Sequence, residues 1–423
     1  MNEADWISFE EALDRVMSAV APLATERVAL PDALGRALAH RVEAVVAHPP
    51  WDNSAMDGFA VRAEDVRGAS PEQPVDLPIS DDIPAGAFPR GPLDPGSAAR
   101  VMTGAPVPPA ATGVIRVEHT DGAPGTDGGH GPSVRIFDDA DAERHIRLRG
   151  EDVEAGDSLA DRGEEVGPAV LALLATAGLG DIEVGRRPRI GVLANGDELA
   201  DLDEFEEVRA GRRILNSNSY ALAAQLAASG AEPVLLGIAR DDPDDLRQRL
   251  ERAGNCDGIV SAAGVSVGEH DYVKEVLDEL GFERSFWRLR MRPGSATVFG
   301  TLDGRPFWGV PGNPASALVT FETLVRPAVR KMAGFARPHR RWISCVAKQN
   351  FRGPKAVVSF LRVLVETTPS GDLVARPSGP QGSGNLSSML ADGLLAIPLG
   401  TDAVRAGERA SVIPLREWAG PAD

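Results

Sequence analysis

The sequence predicts a multi-domain protein of α/β plus β class, and three observations predict it. From Arg189 onward, short apolar runs alternate with helix-length patterns, the rhythm of a doubly wound sheet with helices on both faces. Residues 63–120 and Arg340–Arg416 instead read as short β segments broken by Pro and Gly. At 423 residues the chain is also too long for one small core.

Taken in order, Ser8-Phe9-Glu10-Glu11 reads as a capping box, with Ser8 the N-cap and Glu11 reaching back. Phe9, Leu13, Val16 and Val20 then fall on one helix face. A second short helical pattern follows Pro31. Residues 48–62, HPPWDNSAMDGFAVR, form a stiff polar loop running into a Phe59-Val61 strand, a suitable place to hold a ligand. A small, mostly β lobe follows, with strands expected at Val75–Ile79, Gly113–Val117 and Val134–Phe137. The Gly-rich stretch from Asp121 to Ser133 is a surface loop. A helix at Pro168–Ala177 is bounded by Pro at its first turn and Gly178 at its stop.

In the alternating segment, strands are expected at Ile190–Leu193, Val234–Ile238, from Ile259, at Ser285–Leu289 and at Phe307–Val310. Helices are expected from Asn216, at Asp244–Ala253, at Asp271–Leu280 and after Pro311-Gly312-Asn313-Pro314, where Asn313 is the N-cap and Pro314 the first helical residue. Pro327 should kink or end that last helix. Strands at Ala356–Val365 and Leu394–Pro398 belong to a final small β domain.

Open α/β sheets bind ligands outside the carboxyl ends of their strands. Glu198, Asp241, Asp242, Ser266, Asp271 and Asn313 all fall in or just past those loops. Asp241 or Asp242 also suits a helix N-cap. Residues 258–271, GIVSAAGVSVGEHD, join an apolar strand to an acidic helix start through a small-residue turn. Such a turn offers unpaired backbone N–H groups to an anion.

Composition narrows the function. A net charge of −18 argues against a nucleic-acid surface, whose footprint is basic. Cys256 and Cys345, the only cysteines, are too few for a disulfide framework or a cysteine zinc site. The start MNEADW carries no apolar core segment of a signal peptide, and Val166–Gly180 falls short of a membrane span. A cytoplasmic protein of enzyme size is the expectation.

Seven motifs in order, DNSAMDG (52–58), MTGAPVP (102–108), RGED (149–152), GDEL (196–199), GVSVGEHDY (264–272), RPG (292–294) and PGNP (311–314), resemble those of the molybdopterin molybdotransferases. These are the MoeA-type molybdenum insertases, which include the C-terminal domain of gephyrin, and the likeness runs from about Ser8 to Val412. It implies an elongated homodimer with four domains per subunit. Placed on this chain, these are a discontinuous N-terminal domain (1–47 and 147–184), an inserted β lobe (48–146), a molybdopterin-binding α/β domain (185–336) and a C-terminal β domain (337–423). The implied active cleft lies between the α/β domain of one subunit and the β lobe of the other. The implied reaction converts adenylylated molybdopterin and molybdate into molybdenum cofactor and AMP, with Mg2+.

Carried over by motif, Asp57, Thr103, Glu118, Asp152, Glu198, Asp241 and Asp271 match functional positions of the family, with Glu198, Asp241 and Asp271 the metal candidates. Cleaving a pyrophosphate calls for a hard cation, and carboxylates with waters are its usual holders. Gly264, Ser266, Gly268, Gly312 and Asn313 would approach the pterin substrate, while Arg288, Arg292, Arg362 and Ser383 match oxyanion-contact positions. The chain departs from the family pattern in four places. Arg288 and Arg292 stand where lysines are familiar, Asn195 replaces a Thr, Ala263 replaces a Gly, and Ser295-Ala296-Thr297 follow RPG where Lys-Pro is usual. Arg is a planar fork and Lys a point charge, and a methyl at 263 resists φ > 0. Two other functions stay in play: a non-catalytic molybdopterin-binding scaffold, and a molybdopterin adenylyltransferase, an enzyme that is also a candidate partner.

Overall fold

A computed structural model describes residues 6–122, 131–263 and 272–418. The chain divides into two compact units, one of Met1–His40, Asp161–Leu171 and Gly180–Asp423, the other of Arg41–Ala160 and Ala172–Leu179.

In the larger unit the first helix is Phe9–Ser18, and the Ser8 hydroxyl accepts from the Glu11 N–H at 3.1 Å. The reciprocal half of the capping box is missing. Glu11 turns outward to pair with Arg15 one turn on, so only the Ser8 side of the expectation stands. The second helical pattern shrinks to one 3₁₀ turn, Leu30–Ala33. Before it lies an unforeseen strand, Thr25–Ala29, antiparallel to Asp181–Gly185. The helix Pro168–Thr176 stops as expected, with Gly178 at φ +76°.

The α/β core contains β1 (Arg189–Asn195), α1 (Ser217–Ala228), β2 (Glu232–Ala239), α2 (Pro243–Arg252), β3 (Gly258–Ala262), α3 (Tyr272–Glu279), β4 (Glu283–Phe286), β5 (Val298–Leu302), β6 (Arg305–Val310) and α4 (Pro314–Thr320). Strand order is β2-β1-β3-β6-β5-β4. The first four are parallel, and β6, β5 and β4 are antiparallel neighbours. The sheet is therefore mixed where a parallel one was expected. The reason is local: Asp303 and Gly304 both take positive φ (51° and 71°), the two-residue turn that folds β5 back on β6. The expected Ser285–Leu289 strand lies slightly earlier, at Glu283–Phe286.

Strands β1, β3 and β6 are buried on both faces, as a sheet covered by helices must be. Ile190, Val192, Val260 and Trp308 point to the side that holds Leu222 and Leu226 of α1. Their neighbours Leu193, Ile259 and Phe307 point to the side of Leu246 and Leu250 of α2 and Val276 of α3. Period-two alternation thus feeds two cores from one sheet.

Pro327 neither ends nor breaks the helix that begins at Pro314. The chain runs on through a π turn, Phe321–Val325, into Arg326–Met332. The Arg326 N–H bonds the Phe321 carbonyl, and this wider register leads the chain past the residue with no N–H to give.

The C-terminal strands Ile343–Ala347, Val358–Thr367, Leu373–Pro377, Gly393–Ile397 and Arg409–Pro414 pair in a ring, because Val358–Thr367 also bonds Gly393–Ile397. A closed barrel leaves these five without a free edge. A short strand from the α/β side, Met291–Arg292, adds in parallel at Val358 and Ser359.

The smaller unit holds a five-stranded sheet in the order Gly113–Arg116, Gly58–Val61, Ala98–Val101, Val75–Ile83 and Ser133–Ile136. Phe59, Ile115 and Ile136 fill one core, and Ile83, Val101 and Val114 another.

Candidate functional site

In the larger unit a cavity of about 460 Å³ opens at the carboxyl ends of β1, β3 and β6, lined by residues including Glu198, Asn216, Asn218, Ala263, Gly312 and Asn313. Its floor is held by amides. Asn216 caps α1 by accepting from the Ser219 N–H. The Asn218 Nδ2 donates to the Gly312 carbonyl at 2.7 Å, which fixes its amide orientation and leaves Oδ1 buried without a protein partner. Asn313 occupies the N-cap position of α4, as expected, yet its side chain makes no capping bond. Its amide therefore remains available to a ligand.

Glu198 sits on the loop leaving β1. Its carboxylate folds over Gly196, whose φ of +139° is a conformation that favours glycine. Asp241, past β2, donates its N–H to the Asp197 carboxylate at 3.2 Å. Asp242 is the helix cap, accepting from the N–H groups of Asp244 (2.8 Å) and Asp245 (3.0 Å), which settles the choice between the two aspartates. Gly264, Ser266, Gly268 and Asp271 lie outside the described residues. Among the described residues no three His, Cys, Asp or Glu side chains converge as a ready metal cluster. A hard cation that keeps waters and takes phosphate oxygens asks for only one or two carboxylates.

Ala263 ends β3 with φ +67°, a left-handed conformation that a Cβ resists. Two bonds hold it. Its N–H donates to the Val310 carbonyl at 3.1 Å, and its carbonyl accepts from Asn195 Nδ2 at 3.3 Å. The same Asn195 nitrogen reaches the Ser261 hydroxyl at 2.7 Å. Asn195, the last residue of β1, thus ties down both β3 and the residue that follows it.

The basic residues are dispersed. The Arg288 guanidinium lies 5.5 Å over the Trp6 ring. Arg292 lines a separate cavity of about 660 Å³ with Arg352, Arg405 and Asn350. Arg362 is fully buried, with Nε on the Ser388 hydroxyl (2.9 Å) and Nη2 on the carbonyls of Pro380 (3.2 Å) and Gly382 (3.0 Å). Burial holds its pKa below the usual arginine range. Arg362 therefore braces the loop carrying Ser383, whose carbonyl accepts from the Ala315 N–H at the start of α4.

In the smaller unit, Asp57 accepts from both the N–H and the hydroxyl of Thr103, each at 2.7 Å. Those bonds, the backbone one first, hold its pKa below the ordinary aspartate value. The next residue must be glycine, because a Cβ on Gly58 would lie 2.0 Å from the Ile115 carbonyl of the neighbouring strand. The Asp57 carbonyl accepts from the Val117 N–H at 3.1 Å, which places the short turn carrying Glu118 beside it. Asp152 lines another cavity of about 660 Å³, with His48, Trp51, Asn53, Arg147 and Glu151. The sheet behind is anchored by Asp141, only 1% exposed, which takes two bonds from Arg116 (2.6 and 3.0 Å) and one shared with His145 (3.0 Å). Chiefly through Arg116, its carboxyl is held far below the usual range.

Asn218, Asn195 and Asn53 were absent from the sequence-based candidates. They sit in or beside motifs, but what singles them out is burial without a full set of partners, which depends on tertiary packing.

Residues 7–178 match the family described as the MoeA N-terminal region (domain I and II), 191–331 the probable molybdopterin binding domain, and 345–415 the MoeA C-terminal region (domain IV). The chain is 39% identical to Molybdopterin molybdenumtransferase 2 of Mycobacterium tuberculosis over 392 residues, which covers 91% of this chain and 94% of that one. It is 34% identical to Molybdopterin molybdenumtransferase of Bacillus subtilis over 413 residues, 97% of this chain and 94% of the other. A solved molybdopterin biosynthesis MoeA protein of Pyrococcus horikoshii superposes with TM-score 0.76 at 30% identity, covering 98% of this chain and 100% of that one.

Proposed function

The chain belongs to the MoeA family, whose members are transferases of molybdenum cofactor biosynthesis, and on that premise we propose that it inserts molybdate into adenylylated molybdopterin with release of AMP. The observation that carries this reading is the cavity at the carboxyl ends of β1, β3 and β6, where the Glu198 carboxylate stands among asparagine amides. Neutral amides suit the hydrogen-bonding edge of a pterin. The carboxylate suits the cation that a pyrophosphate needs.

Mg2+ would be held by Glu198 and Asp241, with Asp271, and would neutralise charge on the phosphates when bound. The protein's own part is positioning. Asn218 and Asn313 present amides to the heterocycle, and Asn195 fixes the end of β3 beside it. Asp57, kept ionised by Thr103, supplies a fixed negative charge at its loop. The same reading places the protein in the cytoplasm as a homodimer, receiving its substrate from a molybdopterin adenylyltransferase.

The test is AMP release from adenylylated molybdopterin in the presence of molybdate and Mg2+. Wild-type protein should release AMP and form active cofactor, and Glu198→Gln should lower the rate by about a hundredfold or more, the scale expected when a group facing transition-state charge is removed. A wild-type rate no higher than that of Glu198→Gln overturns the reading. Tight pterin binding without turnover would mark a scaffold, and ATP consumption would mark an adenylyltransferase.

A further inference from the structure

Ala263 forms part of the wall of the cavity at the ends of β1, β3 and β6, beside Ala262 and Gly312. Its φ of +67° lies in the left-handed region, which glycine takes freely and a residue bearing a Cβ does not. Such a conformation persists only where the surroundings impose it. Released, the residue would rotate back to negative φ, moving the cavity wall and the direction in which the chain leaves β3.

The side chain that imposes it stands behind the wall. Asn195 is only 2% exposed, and its Nδ2 donates to both the Ser261 hydroxyl and the Ala263 carbonyl. A carbonyl can only accept, so the amide nitrogen must face it, and Oδ1 is turned away, buried without a protein partner. An orphaned buried acceptor costs about as much as the two donated bonds return. For stability alone, asparagine is a poor choice at this position. For geometry it is a good one, because a single nitrogen grips the last turn-off of β3 at two points.

The fixed φ is felt across the cavity. A Cβ on Gly312 would lie 3.0 Å from the Ala263 Cβ, so the two segments pass with little room between them. The Gly312 carbonyl in turn accepts from Asn218 Nδ2 at 2.7 Å, the bond that orients the Asn218 amide. A displaced Ala263 would therefore disturb Gly312, and Gly312 would disturb Asn218.

We propose that Asn195 is a positioning residue for the substrate heterocycle: by holding Ala263 left-handed, it fixes the gap between the end of β3 and Gly312 and so the place of the Asn218 amide. The proposal rests on the reading given above, because the heterocycle is the one that adenylylated molybdopterin brings to this cavity.

The experiment is a double-mutant cycle on the full chain, read in AMP release. Asn195→Leu keeps the size of the side chain and removes both donated bonds, while Ala263→Gly removes the need for them. Asn195→Leu alone should raise KM for adenylylated molybdopterin about tenfold and leave kcat within about twofold, the signature of lost binding geometry. In the Ala263→Gly background the same substitution should raise KM by less than about twofold, because glycine keeps the conformation unaided. Asn195→Ser, whose hydroxyl stops one bond short of the amide nitrogen, repeats the test should Asn195→Leu not fold. Crystal structures give a readout that needs no turnover: position 263 should leave the positive-φ region in Asn195→Leu and keep it in the double variant. An unchanged KM in Asn195→Leu, a KM rise undiminished by Ala263→Gly, or a positive φ retained at Ala263 in the single variant overturns the proposal. A wild-type chain that releases no AMP overturns the reading above instead. The cycle is then read as calorimetric affinity for a soluble 6-substituted pterin, with the same ratios expected, and absence of binding overturns the proposal as well.

Discussion

At the scale of single residues, the site depends on groups whose neighbours set their state. Thr103→Val removes the hydroxyl bond to Asp57 but leaves the backbone one, so the Asp57 pKa should rise part of the way to its ordinary value. On the role proposed for ionised Asp57, the acid limb of the AMP-release pH profile should move to higher pH, while the rate at neutral pH, where the carboxylate stays ionised, should change by less than about twofold. Ala263→Gly should relieve the left-handed strain, adding about 1 kcal/mol to stability and raising the calorimetric melting temperature. Much at this scale was legible. The Ala263 methyl stood out as resisting positive φ, and positive φ is what the backbone adopts there. What could not be read was the remedy: the Asn195 bond that holds Ala263 joins residues 68 apart, and nothing in local pattern forecasts it. Arg362 shows the opposite failing, since a motif position gives no warning that a guanidinium is walled in by its own loop.

At the scale of elements, turn chemistry explains both the successes and the errors. Asp242 and Asn216 cap their helices where small polar residues precede apolar periodicity. Leu302-Asp303-Gly304-Arg305 carried an equally clear Asp-Gly hairpin signal, and reading it would have given β5 and the antiparallel edge. Gly304→Val should therefore cost about 1–2 kcal/mol in denaturant titration, because a β-branched residue must take the left-handed conformation there. The π turn before Pro327 was beyond sequence reasoning. Whether a proline ends a helix or is carried through depends on the packing around it, and here Phe321, Leu324 and Val325 are all buried in the α/β core.

At the scale of the whole molecule, each unit has its own cores, so a substitution in one should lower the stability of that one first. Asp141→Asn leaves Arg116, itself a third exposed, facing a neutral amide and should destabilise the smaller unit by about 1–3 kcal/mol, measured by calorimetry. The sign with pH follows from the depressed folded pKa. The contribution of Asp141 is fully present above its unfolded value of about 3.9 and is lost as pH falls below it, so the acid-induced loss of stability should be shallower in the asparagine variant. The α/β core and the small β domain after it were readable from composition and rhythm, but closure of the C-terminal strands was not, since it rests on a single long-range pairing. That barrel also recruits Met291–Arg292 as an extra rung. Its boundary with the α/β core is consequently a seam sewn from both sides, and a hybrid that takes its barrel from a relative would have to bring along the matching thread some fifty residues upstream, or else leave raw backbone at Val358 and Ser359.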